Sequence, residues 1–169
     1  MKTSLTVVLR HKIKQFNKSI NVDPDKSLSI RSFLIGSICQ GKSIARNILE
    51  SEDVKNTILA CRKLGVKIEK IKPKNYKIYG KGLGSFSIKK NSELNFGNSG
   101  TASRLLIGIL STTPNIQVKL KGDNSLNKRS MKKLINLMEK FGVTFFPNNK
   151  FTFPLKMISS KMPIGINYK

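Results

Sequence analysis

Apolar residues recur at helical spacing in four stretches of the chain, with shorter extended runs between them. Val54, Ile58, Cys61 and Leu64 step by three or four, which predicts a helix over about 53–64, capped by Asp53 and stopped by Gly65. Met131, Leu134, Ile135, Met138 and Phe141 do the same in a helix from about Lys128 to Phe141, closed by Gly142. Two other helices are apolar over most of their circumference. One runs from about Ser27 to Gln40, carries Phe33, Leu34, Ile35 and Ile38, and ends at Gly41 as its C′ residue. The other runs from about Thr101 to Leu110, carries Leu105, Leu106, Ile107 and Ile109, and takes Thr101 as its cap. Helices with no polar face are expected to be buried on nearly all sides. Residues 43–49, 66–71, 76–79, 116–120, 143–146 and 151–153 read as extended.

The pattern occurs twice. RSFLIGSI from Arg31 resembles RLLIGIL from Arg104, and DVKNTILACRKLGVKI from Asp53 resembles SMKKLINLMEKFGVTF from Ser130. Arg31 and Arg104 lie 73 positions apart and Gly65 and Gly142 lie 77 apart, so the copies differ by a small insertion. One supersecondary unit, β-α-β-α-β-β, is used twice. The fold class is α/β (α+β), with helices packed on sheets and the two apolar helices in the centre. Repeat one covers about 23–95 and repeat two about 96–169. Residues 1–22, with Thr3–Leu9 or Lys18–Val22 as candidate strands, lead in from elsewhere in the fold.

Composition narrows the function. The 169 residues include 32 Lys and Arg against 9 Asp and Glu, a formal net charge of +23. Such a charge suits a polyanion partner. Only Arg10, Arg31, Arg46, Arg62, Arg104 and Arg129 are arginines, however, and the lysines are spread along the whole chain without an RNA- or DNA-binding motif. The expectation is therefore no nucleic acid. No apolar run is long enough to span a membrane, so no membrane is expected either. Cys39 and Cys61, both in apolar stretches, read as buried reduced thiols of a cytoplasmic protein. His11 is the single histidine, which excludes a His-based triad or a multi-His metal site from this chain alone.

Three stretches carry chemistry. PDKSLSIR (24–31) puts Lys26 and Ser27 at a helix start and Arg31 one turn on. GNSGTASRLL (97–106) puts Asn98, Gly100 and Thr101 before Arg104. GDNSLNKRSM (122–131) puts Asp123 in a turn and Arg129 at the opening of a helix. Helix N-termini supply free N–H groups and partial positive charge, so added Lys, Arg and hydroxyls suit a phosphate or carboxylate. Each stretch alone fits an ordinary capped helix with solvated cations equally well. The repeat places them equivalently, which favours convergence on one pole and a polyanionic small molecule.

These three motifs, in this order and spacing, resemble the N-terminal part of 5-enolpyruvylshikimate-3-phosphate synthases. The resemblance implies a shikimate-pathway transferase. It moves the enolpyruvyl group of phosphoenolpyruvate to the 5-hydroxyl of shikimate 3-phosphate, with no cofactor, in a monomer when full length. It implies two domains of three βαβαββ units each, with the substrates in the cleft between them. Carried over, Lys26 is the catalytic lysine that meets both substrates. Ser27 and Arg31 hold shikimate 3-phosphate, and Asn98, Gly100, Thr101 and Arg129 border phosphoenolpyruvate. Arg104 supports them electrostatically, and Asp123 orients its turn. The missing side chain at Gly100 implies room for the inhibitor glyphosate. Leu105 and Ser130 depart from the family pattern, where proline is common at both places. Family members are well over twice this length, so the chain is expected to be an N-terminal fragment, inactive alone, without the acid/base carboxylates of the second domain. A UDP-N-acetylglucosamine enolpyruvyl transferase-like enzyme and a lysine-rich polyanion-binding protein are the alternatives.

Overall fold

The computed structural model describes residues 6–8, 10, 12, 17 and 19–167. Copy one consists of α1 (Lys26–Ile38), β1 (Gln40–Ala45), α2 (Glu52–Lys63), β2 (Lys67–Lys72) and β3 (Asn75–Lys81). Copy two starts at β4 (Ser92–Asn95), a few residues before the expected boundary at 96 because β4 pairs with β5, and continues through α3 (Gly100–Ser111), β5 (Gln117–Lys121), a 3-10 turn (Leu126–Lys128), α4 (Lys132–Lys140), β6 (Thr144–Phe146) and β7 (Leu155–Ile158). The mixed α/β architecture expected from the pattern is present. Residues 19–22 form no strand, and the rest of the expected Lys18–Val22 strand and most of Thr3–Leu9 lie outside the described residues.

Copy one folds on a three-stranded antiparallel sheet in the order β1-β3-β2. Copy two folds on a four-stranded sheet in the order β4-β5-β7-β6. There β4 and β5 run parallel, with Leu94 opposite Leu120, and the other pairs are antiparallel. α1 packs on α2, on β3 and on α3, so the first helices of the two copies touch. The core runs continuously through Ile30, Phe33, Ile78, Leu94, Leu106, Leu110 and Leu120. Each such side chain contributes about 1.5–3 kcal/mol when fully buried. Phe33 meets the edge of Tyr76 at 5.2 Å, and Phe96 stacks on Phe153 at 6.2 Å.

Several sequence expectations are corrected. α1 does not end at a glycine C′ residue: Cys39 turns extended at the C-cap and Gly41 already lies in β1, opposite Gly80. The close approach is possible because Gly80 has no side chain; a Cβ there would overlap the carbonyls of Cys39 and Gly36. Ser51, not Asp53, is the N-cap of α2, and Ser99, not Thr101, caps α3 by accepting the Ala102 N–H. α4 begins at Lys132, not Lys128, because the intervening residues form the 3-10 turn and an extended Arg129. Residues 151–153 are not a strand. Phe153 enters the core, the Phe151 carbonyl accepts the Met131 N–H, and β7 starts only at Leu155.

The two apolar helices are not buried all round. Leu28 and Ile35 on α1 are 64% and 56% exposed and Leu105 on α3 is 40% exposed, because no described element covers that side. Cys39 is exposed, whereas Cys61 is buried and its thiol is pushed up to about 11 by burial, against a hydrogen bond with Ser37.

Candidate functional site

The parallel pairing of β4 and β5 brings the ends of both strands to one edge. Two loops leave from that edge, one carrying 96–99 and the other 122–125. They are laced together: the Phe96 N–H donates to Lys121 O, and the Asp123 N–H donates to Gly97 O at 2.8 Å. Gly97 has φ +55°, a left-handed conformation that glycine adopts without strain, and its N–H donates to Asn95 Oδ1 at 3.0 Å. Loops at the carboxyl ends of adjacent parallel strands are a common place for ligand sites in α/β folds.

On this base a short relay is built. Asp123 Oδ1 accepts the N–H of Leu126, the first residue of the 3-10 turn, at 2.7 Å, and its Oδ2 accepts from Asn98 Nδ2 at 2.9 Å. Asn98 Oδ1 in turn accepts from the Arg129 guanidinium, which also donates to Ser125 Oγ at 3.2 Å. The Leu126 N–H first, then the Asn98 amide, hold the Asp123 carboxyl below its ordinary range. A charged Asp123 fixes the amide nitrogen toward itself and leaves the amide oxygen for the arginine. Arg129 is thus aimed by two residues that it does not neighbour in sequence.

Gly100 opens α3 and is buried. A Cβ on it would lie 3.1 Å from Arg104 Nη1 and 3.4 Å from Arg129 Nη1. Two guanidinium groups therefore press against the first residue of a helix whose first turn holds no acidic residue. Among the described residues, neither arginine pairs with a carboxylate. Like charges this close repel, and the helix dipole adds to the positive potential. A bound anion relieves both. Thr101 is half-buried in the same first turn, and Arg104 also lines a hollow of about 420 Å³ together with Ser130, Met131, Lys133 and Leu134.

The first motif is placed differently. Asp25 caps α1 by accepting the Leu28 N–H at 2.7 Å. Lys26 Nζ pairs with Asp53 Oδ2 of α2 at 2.9 Å, Ser27 is half-buried and Arg31 is exposed. The Asn56 amide of α2 fills the space that a side chain at Gly97 would take, so α2 lies against both Lys26 and the second motif. The structure thus brings Asn98, Gly100, Thr101, Arg104, Asp123 and Arg129 together. Lys26 is held on α2 by Asp53, and neither it nor Ser27 nor Arg31 makes a hydrogen bond or ion pair to the group. A hollow of about 480 Å³ beside the α1 N-terminus is lined by Asp23, Ser29, Ser32, Arg46 and Asn47, among others, and by neither Lys26 nor Arg31. Sequence reasoning missed Ser125 and Asn56. Ser125 stands four residues before Arg129, a signal visible in the sequence; Asn56 gave none.

The geometry can be set beside known proteins. A family model for EPSP synthase (3-phosphoshikimate 1-carboxyvinyltransferase) matches residues 10–169. The 3-phosphoshikimate 1-carboxyvinyltransferase of Leptospira interrogans is 39% identical over 159 residues, covering 94% of this chain and 36% of its own length. That of Alkaliphilus oremlandii is 40% identical over 161 residues, with the same shares. The solved EPSP synthase from Acinetobacter baumannii superposes with a TM-score of 0.79 at 35% identity, over 88% of this chain and 33% of that one. The chain spans about a third of the length of these relatives. Helices of two repeated units joined through α1 and α3, an arginine pair at the α3 N-terminus and a match over nearly the whole chain lead to one conclusion: the chain belongs to the EPSP synthase family.

Proposed function

We propose that this chain supplies the part of a 3-phosphoshikimate 1-carboxyvinyltransferase that gathers its two anionic substrates. In this reaction the 5-hydroxyl of shikimate 3-phosphate adds to C2 of phosphoenolpyruvate. The C–O bond to phosphate then breaks, and inorganic phosphate leaves as the enol ether forms. The observation that carries the reading is the pair Arg104 and Arg129 against Gly100, with no carboxylate pairing either. Both substrates are multiply charged, and bringing them into contact requires cations that offset their repulsion. In this assignment Arg129, aimed by Asn98 and Asp123, takes phosphoenolpyruvate. The Gly100–Thr101 helix start and Arg104 back it, Ser27 and Arg31 take shikimate 3-phosphate, and Lys26 meets both substrates. Arginines held in place before the reaction stabilise the charge of a tetrahedral intermediate without reorganising.

Asp123 is a poor proton donor in this scheme, because its hydrogen bonds hold it ionised. The proton transfers are therefore assigned to groups outside the described residues. No helix among the described residues is long and apolar enough to cross a membrane. The reading extends to a cytoplasmic enzyme that uses no cofactor and is monomeric at full length.

Calorimetric titration tests the reading. Shikimate 3-phosphate is expected to bind, and phosphoenolpyruvate to bind more tightly in its presence. Arg129→Ala should weaken phosphoenolpyruvate about tenfold through loss of a charge-assisted contact, and Gly100→Ala should weaken it by displacing both guanidiniums. The chain by itself should release no phosphate from the substrate pair. Equal affinity for duplex DNA and tripolyphosphate at matched salt, with no preference for shikimate 3-phosphate, would instead establish a lysine-rich polyanion binder.

A further inference from the structure

We infer that Asp53 is the positioning residue for Lys26, the carboxylate that aims the lysine of copy one at the anion loop of copy two. The inference rests on the enolpyruvyl-transfer reading of the site. Lys26 Nζ lies 2.9 Å from Asp53 Oδ2, the carboxylate side chain being 15% exposed and the lysine 51%. Asp53 and Asn56 stand three residues apart on α2 and so share a face of the helix. The Asn56 amide occupies the space that a side chain at Gly97 would take, Gly97 being the residue before Asn98 in the loop that meets Arg129. The ammonium held by Asp53 is thereby kept roughly one helical turn from the Gly97–Gly100 loop. Without Asp53 a lysine with four rotatable bonds is free to sweep solvent at the start of α1.

Stability does not account for the pair. An ion pair with a half-exposed lysine contributes little. Copy two also folds without one: the places matching Lys26 and Asp53 are Ser99 and Ser130, and neither is ion-paired. A carboxylate beside an anion site is also electrostatically adverse, and only nine acidic residues are present in the chain. Its gain is orientation.

The two effects predict opposite signs. If Asp53 acts only through its charge, neutralising it tightens anion binding; if it positions Lys26, neutralising it weakens binding. Calorimetric titration of shikimate 3-phosphate plus phosphoenolpyruvate into the chain separates them, with Asp53→Asn, Asp53→Glu, Lys26→Ala and the Asp53→Asn/Lys26→Ala pair. Asp53→Ser, the residue at the matching place in copy two, is a second neutral variant should the first fold poorly. Asp53→Asn should weaken binding about tenfold. Asp53→Glu should recover to within about threefold of the parent, and Asp53→Asn should cost nothing further once Lys26 is alanine. Tighter or unchanged binding in Asp53→Asn overturns the inference, as does an equal loss with Lys26 already removed. A parent chain that binds neither substrate overturns the enolpyruvyl reading and this inference together; a parent that binds while Asp53→Asn leaves affinity unmoved removes this inference alone.

Discussion

The two copies of the repeat run in register from their second helices onward, yet they end their second crossovers differently. In copy one, β1 and α2 are separated by residues 46–51; in copy two, β5 and α4 are separated by residues 122–131. The insertion seen in the sequence offsets lies earlier, in residues 112–116 between α3 and β5, where copy one has only residue 39 between α1 and β1; the connection after β5 is longer because α4 starts later in its unit than α2. This connection forms the 3-10 turn and leaves Arg129 extended, at φ −78° and ψ 133°, where the equivalent Glu52 is already helical. Copy one closes its helix starts with an internal ion pair, Lys26 to Asp53. Copy two leaves its arginines without carboxylates and aims one of them through Asn98 and Asp123. The same unit thus acts as a support in one copy and as an open cationic site in the other. The later helix start in copy two, which leaves Arg129 extended, makes the difference.

The contrast is broken most severely at Gly80. Alanine there has no space, because the carbonyls of Cys39 and Gly36 are backbone and cannot swing away. Chemical denaturation of Gly80→Ala should show a loss of at least about 3 kcal/mol or an unfolded chain. An unchanged midpoint would mean that α1 and β3 are not held at this separation.

The helix glycines sharpen the comparison at smaller scale. A Cβ added at Gly108 on α3 would meet nothing within 4 Å, so Gly108→Ala should stabilise by about 1 kcal/mol through helix propensity alone. Gly36 on α1 would place its Cβ 2.9 Å from Ile78 Cδ1, a fully buried side chain. Gly36→Ala should therefore lose about 1 kcal/mol net, since overpacking outweighs propensity. Equal thermal shifts of the same sign would remove the asymmetry between the two central helices.

The smallest effect is a pH dependence confined to copy one. Glu50 accepts from Tyr76 Oη at 2.6 Å and pairs with Lys70 at 2.8 Å. Lys70 first, then Tyr76, bring its carboxyl down to about 2 from 4.5. A depressed acid stabilises the fold above its unfolded value and loses that contribution as pH falls from about 4.5 toward 2. Burial first, then Glu50, push Tyr76 up to about 12 from 10, so its contribution is present below pH 10 and lost between 10 and 12. Glu50→Gln should flatten the acid limb of stability against pH while leaving the Asp123-linked response of copy two in place. An acid limb as steep as the parent's would exclude this group.

Much of the fold was legible because periodicity depends on which face of an element is buried. The four α-helices of the described residues follow from positions such as Val54, Ile58, Met131 and Met138, and the extended runs locate β1, β2, β3, β5 and β6 to within a few residues. The helix starts were less legible. Ser51 and Ser99 displaced Asp53 and Thr101 as caps, since several polar residues compete at each start and tertiary contacts choose among them. Asp53 was drawn off by Lys26, and residues 151–153 lost their strand when Phe153 went into the core against Phe96.

The chain's own residues determined the repeat, the helix count, the cationic character of three motifs and the small residues that let loops approach closely. They did so because propensity, period and turn chemistry act over a few neighbours. Which cations face one another was decided only when β4 and β5 paired in parallel and α1 met α3. Distances between residues 25 to 31 positions apart, such as Asn98 to Asp123 and to Arg129, depend on how strands register. No local pattern encodes that.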